Sequence, residues 1–201
     1  MPVSRINIFN GALARVGTGQ ISNPDGTEPG AVICRVFYNS ILEEMLRSFD
    51  FNFAGRRVVL ALSDETPVGY DYAYTKPDNC LRVRHLLDED GENADADYPW
   101  IVRGDQILTD LEDACVEYTR NNVTPEEFDS TFRTAFETRL GAEIAPAIKP
   151  QDMKKQTQLW QLYNVLWGTA KYANATENNV NPEPVNQFLN ARRRTETEDE
   201  E

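Results

Sequence analysis

Residues 124–146 read TPEEFDSTFRTAFETRLGAEIAP, and the change of pattern at their start decides the fold. Thr124-Pro125-Glu126-Glu127 is a capping box with Pro at the first helical position. Phe128, Phe132, Phe136, Leu140 and Ile144 then recur at every fourth residue, which is one face of a helix. Pro146, which has no backbone N–H to donate, is expected to close that helix. Just upstream the period is two: Ala114, Val116 and Tyr118 alternate with Cys115, Glu117 and Thr119. A helix is therefore expected to begin where a β segment ends.

Further upstream the β pattern continues. Arg56–Leu62 reads RRVVLAL, and Tyr70, Tyr72 and Tyr74 alternate with Asp71 and Ala73. Leu81, Val83 and His85 alternate with Arg82 and Arg84, and Trp100–Val102 and Gln106–Thr109 flank the turn Arg103-Gly104-Asp105. Short alternating runs between turns predict a small antiparallel β unit over residues 55–122. Helical signals return nearer the start. Ile6, Phe9, Leu13 and Val16 share one face, with Ser4 placed to cap and Gly17 to end the helix. Asn23-Pro24-Asp25-Gly26 is a turn, and Pro29 opens a second helix carrying Ile33, Phe37, Ile41, Leu42, Met45, Leu46 and Phe49. Beyond Pro146, Pro150 is expected to open a long helix running to about Glu177, with Met153, Leu159, Leu162, Tyr163, Leu166, Trp167 and Ala170 on one side.

The expected fold class is α+β. A four-helix bundle is built from residues 1–54 and 123–177, and a small antiparallel β domain over 55–122 is inserted between helix 2 and helix 3. Residues 178–201 follow as an extended C-terminal docking segment and acidic tail. The bundle core is expected to use Phe9, Leu13, Phe37, Leu42, Phe132, Phe136, Leu162 and Leu166.

Composition narrows the function. The 201 residues carry 33 Asp+Glu, 20 Lys+Arg and one His, a net charge of -13. That balance argues against a general nucleic-acid binder, which needs a basic face. No run approaches 18 apolar residues, so no transmembrane helix or membrane partner is expected, and the first residues lack the pattern of a signal peptide. Cys34, Cys80 and Cys115 form no CxxC and no zinc pattern, which suits a reducing cytoplasm. The excess acid is concentrated: residues 88–98, DEDGENADADY, hold six acids and no base. That run lacks the spacing of a calcium loop and is expected to be an exposed loop.

Catalytic patterns are not found. His85, the only His, sits in an alternating strand with no GxSxG or Cys–His pattern around it, and is read as structural. Pairs such as Glu43-Glu44 carry little information in so acidic a chain. There is no Walker A and no GxGxxG, and Trp160 and Trp167 read as a packed helix face. The expectation is a protein that is not an enzyme and has no catalytic, metal or cofactor residues.

The stretch NGALARVGTGQISNPDGTEPGAVICRVFYNSILEEMLRSFDFNFAGRRVVLA, residues 10–61, resembles the opening of the tail tubular protein A family. These are adaptor or gatekeeper proteins of short-tailed bacteriophages. The matching features are Ala12–Gly17, Tyr38–Leu46 and Phe51–Arg57. Tyr72-Ala73-Tyr74 followed by Pro77–Val83 is similar to the family's Tyr–Pro–Cys-Leu-Arg stretch, and Phe128–Ala147 resembles its Phe-rich helix. The likeness covers roughly residues 9 to 175 and is loose after Glu177. It implies a structural head-to-tail adaptor in the virion tail, assembled in the host cytoplasm. It also implies a homo-oligomeric ring of about twelve copies between the portal protein and a tail nozzle protein of the tail tubular protein B type. Genomic DNA would pass through the lumen without specific binding, and the net negative charge suits that passage. A tail-associated glycan hydrolase with paired carboxylates is the alternative.

The C-terminal segment carries two readings. Val185, Phe188 and Leu189 form a short apolar edge, followed at once by Arg192, Arg193 and Arg194. One reading is a solvated terminus. The other, adopted here, is a portal-docking segment: the apolar edge fills a groove and the arginines pair with carboxylates at its rim.

Overall fold

A computed structural model describes residues 3–64 and 67–177. The expected docking residues Val185, Phe188, Leu189, Arg192, Arg193 and Arg194 lie outside the described residues, as do Glu65 and Thr66. Among the described residues the chain is mixed α+β, with four helices and two antiparallel sheets. Helices α1 (Arg5–Val16) and α2 (Pro29–Ser48) come first, and seven strands follow. Helices α3 (Ser130–Ile148) and α4 (Met153–Glu177) come last.

Local chemistry sets the helix ends. Asn7 Oδ1 accepts the Ser4 N–H at 2.9 Å at the start of α1. Gly17 ends α1 at φ 81°, in the left-handed region, with its N–H directed to Leu13 O and Ala14 O. Pro29 opens α2 where its missing N–H costs nothing. The Thr124 capping box opens only a short 3₁₀ turn, Pro125–Glu127. The helix itself starts six residues after Thr124, capped by Asp129, which accepts from Thr131 N at 2.7 Å. Pro146 does not close α3 but sits inside its last turn. Its missing N–H removes one bond so near the end that the helix still reaches Ile148. Likewise α4 begins at Met153 rather than Pro150, after a turn closed by Asp152 N–H to Lys149 O at 3.0 Å.

Helix α3 contacts each of the other three helices. Phe132, Ala135, Phe136, Leu140, Ala142, Ile144 and Ala145 are all buried, so its apolar surface wraps around it rather than forming one stripe. Small residues bring α1 close. A Cβ on Gly11 would lie 2.5 Å from the Glu137 carboxyl carbon, and one on Gly141 would lie 3.2 Å from Ala12 O. Phe9, Leu13, Leu42, Phe132 and Phe136 are buried as expected, while Phe37 and Leu166 are partly buried against the same core. Leu162 is a correction: it is 45% exposed. The buried positions of α4 are Leu159, Ala170 and Asn174, with Tyr163 and Trp167 packed between them. The inner face thus runs through Leu159, Tyr163, Trp167, Ala170 and Asn174, and Leu162 lies outside it.

The strands form two sheets. Strands β1 (Gly55–Val59), β7 (Cys115–Arg120) and β4 (Cys80–Leu87) make the first, in the order β1-β7-β4. Strands β2 (Ala61–Leu62), β3 (Tyr72–Thr75), β6 (Gln106–Thr109) and β5 (Trp100–Arg103) make the second, in the order β2-β3-β6-β5. Leu60 joins β1 to β2 without leaving the ladder, donating to Ala114 O at 2.9 Å. The β5–β6 hairpin turns on Gly104 at φ 61°, with Arg103 opposite Gln106. A second apolar cluster, including Tyr74, Val83, Leu86, Ile107 and Val116, fills the space associated with these strands.

The corrected register of α4 gives a stability test. Phe136→Ala should lower unfolding free energy by about 3–5 kcal/mol, the range for emptying a buried Phe site. Leu162→Ala should change it by less than about 0.5 kcal/mol, as at an exposed position. Denaturant titrations in which both variants cost the same would return Leu162 to the core.

Candidate functional site

The connection Asp50–Ala54, between α2 and β1, is gripped from several sides. Arg84 of β4, with its side chain 4% exposed, donates from Nη2 to Phe51 O at 2.7 Å and from Nε to Thr119 Oγ1 at 2.9 Å. Asp50 Oδ1 lies 3.0 Å from Arg84 Nε and also pairs with Arg82. Burial pushes the Arg84 pKa down, while Asp50 and Glu117 pull it back. Arg120 donates to Phe53 O at 2.9 Å and pairs with Glu127. From α4, Asn174 accepts the Asn52 N–H at 2.8 Å and donates to Asp50 O at 3.0 Å. The C-terminal turn of α4 therefore ends beside the start of β1.

Next to this grip lies an open cleft of about 310 Å³, lined by Asn52, Gly55, Arg56, Arg57, Arg84 and Glu117. Three arginines face one carboxylate, so the cleft is positive on a chain whose net charge is -13. Arg57 Nε donates to Glu117 Oε2 at 2.8 Å, while Arg56 has no partner among the described residues. Gly55 is required here by space: a Cβ would meet Arg84 Nη1 at 2.8 Å.

The two edges of the first sheet differ. Along β4, residues 88–98 fold back on the strand: Ala94 N–H donates to Leu86 O at 3.0 Å and Asp88 N–H to Glu92 O at 3.1 Å. Asp95 completes the cover. Its Oδ1 accepts from Leu86 N at 2.8 Å and Trp100 Nε1 at 2.7 Å, and its Oδ2 lies 2.7 Å from His85 Nδ1. A carboxylate can only accept, so this contact puts the proton on Nδ1. Burial raises the Asp95 pKa, but the bonds from His85, Leu86 and Trp100 outweigh it and hold the group below its ordinary value. His85, read as structural from the sequence, thus anchors the acidic loop. No metal-holding group of His, Cys, Asp or Glu occurs among the described residues.

Along β1 the edge is open. Arg56, Arg57, Val58 and Val59 are exposed, Val59 by 69%, and Leu62 of β2 by 63%. Two more exposed apolar groups lie on helices: Val32 and Val36 of α2, and Leu162, Val165 and Tyr172 of α4. The last three are spaced 3 and 7 apart, on the face of α4 away from α3. Exposed apolar groups of this kind mark contact surfaces. Of these the sequence analysis placed Leu162 in the core and passed over Val32, Val36, Val165 and Tyr172, because it followed a single apolar face on each helix.

Among the described residues burial lifts the three thiols and one carboxyl above their ordinary pKa values. Burial pushes the Cys34 thiol up to about 12, and the thiols of Cys80 and Cys115 are raised as well. Glu137 is the carboxyl with a raised pKa, driven by burial and opposed by Arg15 and Arg133. It lies against Gly11 in the α1–α3 seam, with Arg15 Nη2 at 3.1 Å. A scan against protein-family models finds no match, and a search of curated proteins finds none. No helix among the described residues is long and apolar enough to cross a membrane.

Asp95→Ala tests the edge cover. Removing an acceptor of two buried or half-buried donors should cost about 1–3 kcal/mol at neutral pH. The folded pKa lies below the unfolded one, so this contribution is whole above about pH 4 and fades as pH falls through the folded value. The gap between wild type and variant should therefore close in acid. A gap independent of pH from 7 to 2 would show that the carboxylate's charge is not what holds the loop.

Proposed function

We propose that this chain is a structural head-to-tail adaptor of a short-tailed phage, similar to the tail tubular protein A family. In this reading the four helices form a bundle over residues 1–54 and 123–177. The strands of 55–122 are a β unit inserted into it, and 178–201 is a docking segment with an acidic tail. About twelve copies form a ring between the portal protein and a tail nozzle protein, in the virion tail. DNA passes through the lumen, where the net negative charge of the subunits repels phosphate. Val185, Phe188, Leu189, Arg192, Arg193 and Arg194 dock on the portal, and the protein carries out no catalysis.

The observation that carries the reading is the distribution of exposed apolar groups. Val32 and Val36, then Leu162, Val165 and Tyr172, then Val58, Val59 and Leu62 lie on four elements, α2, α4, β1 and β2. A subunit that meets two neighbours and two axial partners needs several separate contact surfaces. The order of elements, two helices, strands, two helices, adds support from the resemblance. The alternative, a glycan hydrolase, needs a raised-pKa carboxyl facing a second carboxylate across a cleft. Glu137 instead faces Gly11 and is held by Arg15 and Arg133.

The test uses the full chain and the portal protein encoded with it. Light scattering should find the isolated chain monomeric at physiological salt. Sedimentation with portal rings should find it bound, and deletion of residues 184–201 should abolish binding with the helical spectrum unchanged. Full occupancy of portal rings by the truncated chain would refute the docking role. Absence of any portal complex with the full chain would refute the adaptor reading.

A further inference from the structure

The open edge of β1 needs an occupant. Strand β1 is paired on one side only, with β7, and β2 on one side only, with β3. Leu60 N–H bonds to Ala114 O of the β7 side and Ser63 N–H to Ala73 O of β3, an odd step apart, so the chain changes partners across its width and the unpaired run is that of β1, Gly55–Val59. An exposed apolar edge of this length is a template for association, and proteins cover or charge such edges. The opposite edge of the same sheet is covered at the end of β4, along His85–Leu87, by residues 88–98, which use both backbone and Asp95. On β1 no cover exists among the described residues.

We propose that residues 195–201, TETEDEE, of the same chain lie along β1 as an added strand, held by the arginines of the cleft. Three observations select this occupant. The first is charge. Arg56 is exposed and has no partner among the described residues, and Arg57 beside it is also exposed, with its Nε on Glu117. The two point to opposite faces of the strand, since side chains alternate. TETEDEE alternates too: a strand of it carries Glu196, Glu198 and Glu200 on one face and Thr195, Thr197 and Asp199 on the other. Each face of β1 thus offers an arginine, and each face of the added strand offers an acid. Opposite-charge cross-strand pairs of this kind favour pairing.

The second observation is where the described chain ends. Asn174, three residues before Glu177, is bonded to Asn52, three residues before Gly55. The intervening residues 178–194 can span up to roughly 55–60 Å when extended. The open edge from Gly55 to Val59 is about 17 Å long at strand rise. The segment reaches every part of that edge with slack, and tethering gives it an effective concentration on the order of millimolar. The third is the cleft of about 310 Å³ at the start of β1, whose three arginines give an acidic side chain a destination. The inference uses residues 195–201 alone and does not depend on the portal reading or on residues 185–194.

Amide hydrogen exchange on the full chain at low concentration tests it, with a chain ending at Arg194 as comparison. The outward amides of β1, those of Arg57 and Val59, should exchange at least about ten-fold more slowly in the full chain, with the amides bonded to β7 and β3 as internal controls. Arg56→Glu should reduce that protection in the full chain and leave the truncated chain unchanged. Combining Arg56→Glu and Arg57→Glu with Glu198→Lys and Asp199→Lys, one on each face of the added strand, should restore it. Molar salt should weaken it. Equal exchange in the full and truncated chains overturns the proposal. So does protection that rises with protein concentration, which would mean that a second copy covers the edge.

Discussion

The structure turns on Phe132. Its ring lies 4.8 Å from that of Phe51, 5.0 Å from Phe53, 5.2 Å from Phe128 and 6.5 Å from Trp167, centroid to centroid. Phe51 and Phe53 belong to the connection into β1, and Trp167 belongs to α4. One side chain therefore joins the central helix, the last helix and the entry to the sheets. Most of these pairs are edge-to-face, the arrangement the ring quadrupoles favour. The same connection that offers its rings to Phe132 offers its carbonyls to Arg84 and Arg120. Helix packing thus fixes where the first sheet begins.

The polar grip on that connection has a different role from the aromatic one. Burying Arg84 beside Asp50 and Glu117 costs desolvation that the ion pairs only partly offset. What it supplies is direction: a planar guanidinium bonded to Phe51 O and Thr119 Oγ1 at once permits one placement of β4 and β7 against the helices. Gly55 is part of that geometry, because a side chain there would push the guanidinium out of place. Asn174 applies the same logic from α4, spanning Asn52 N–H and Asp50 O with its two ends. Rings supply the burial, and amide and guanidinium groups set the angles.

Periods and turns were legible in the sequence. Alternation located β3, β4 and β7, the Arg103-Gly104-Asp105 turn located β5 and β6, and the Val- and Leu-rich run Arg56–Leu62 located β1 and β2 without showing that they are two strands; Gly17 and Pro29 mark helix ends where the structure has them. The errors came where one-dimensional signals compete. A capping box at Thr124 looks the same whether it opens an α-helix or a 3₁₀ turn, and the second cap at Asp129 decided the matter. In α4 apolar residues occupy both faces, so periodicity alone could not tell Leu162 from Leu159. The junction was less legible still. Nothing in the spacing of Asp50, Arg84, Thr119 and Asn174 announces that they meet, because they lie on four separate elements. The bond between His85 and Asp95 was missed for a similar reason. A strand residue and a loop residue become partners only once the loop folds back along β4.

The excess acid of the chain acquires a structural role in that fold. Residues 88–98 project Asp88, Glu89, Asp90 and Glu92 around the edge that Asp95 seals. A strand approaching β4 must break bonds already made and enter a field of like charge, unless it is basic. On the other edge, Arg56 and Arg57 stand beside unpaired backbone, and the charge preference is reversed. The sheet is therefore asymmetric in what it admits: closed and acidic at the end of β4, open and basic along β1. Two copies of this chain approaching by their β1 edges would bring arginine against arginine, and by their β4 edges carboxylate against carboxylate. Symmetric edge-to-edge pairing is disfavoured in both cases, and any association through these edges has a direction.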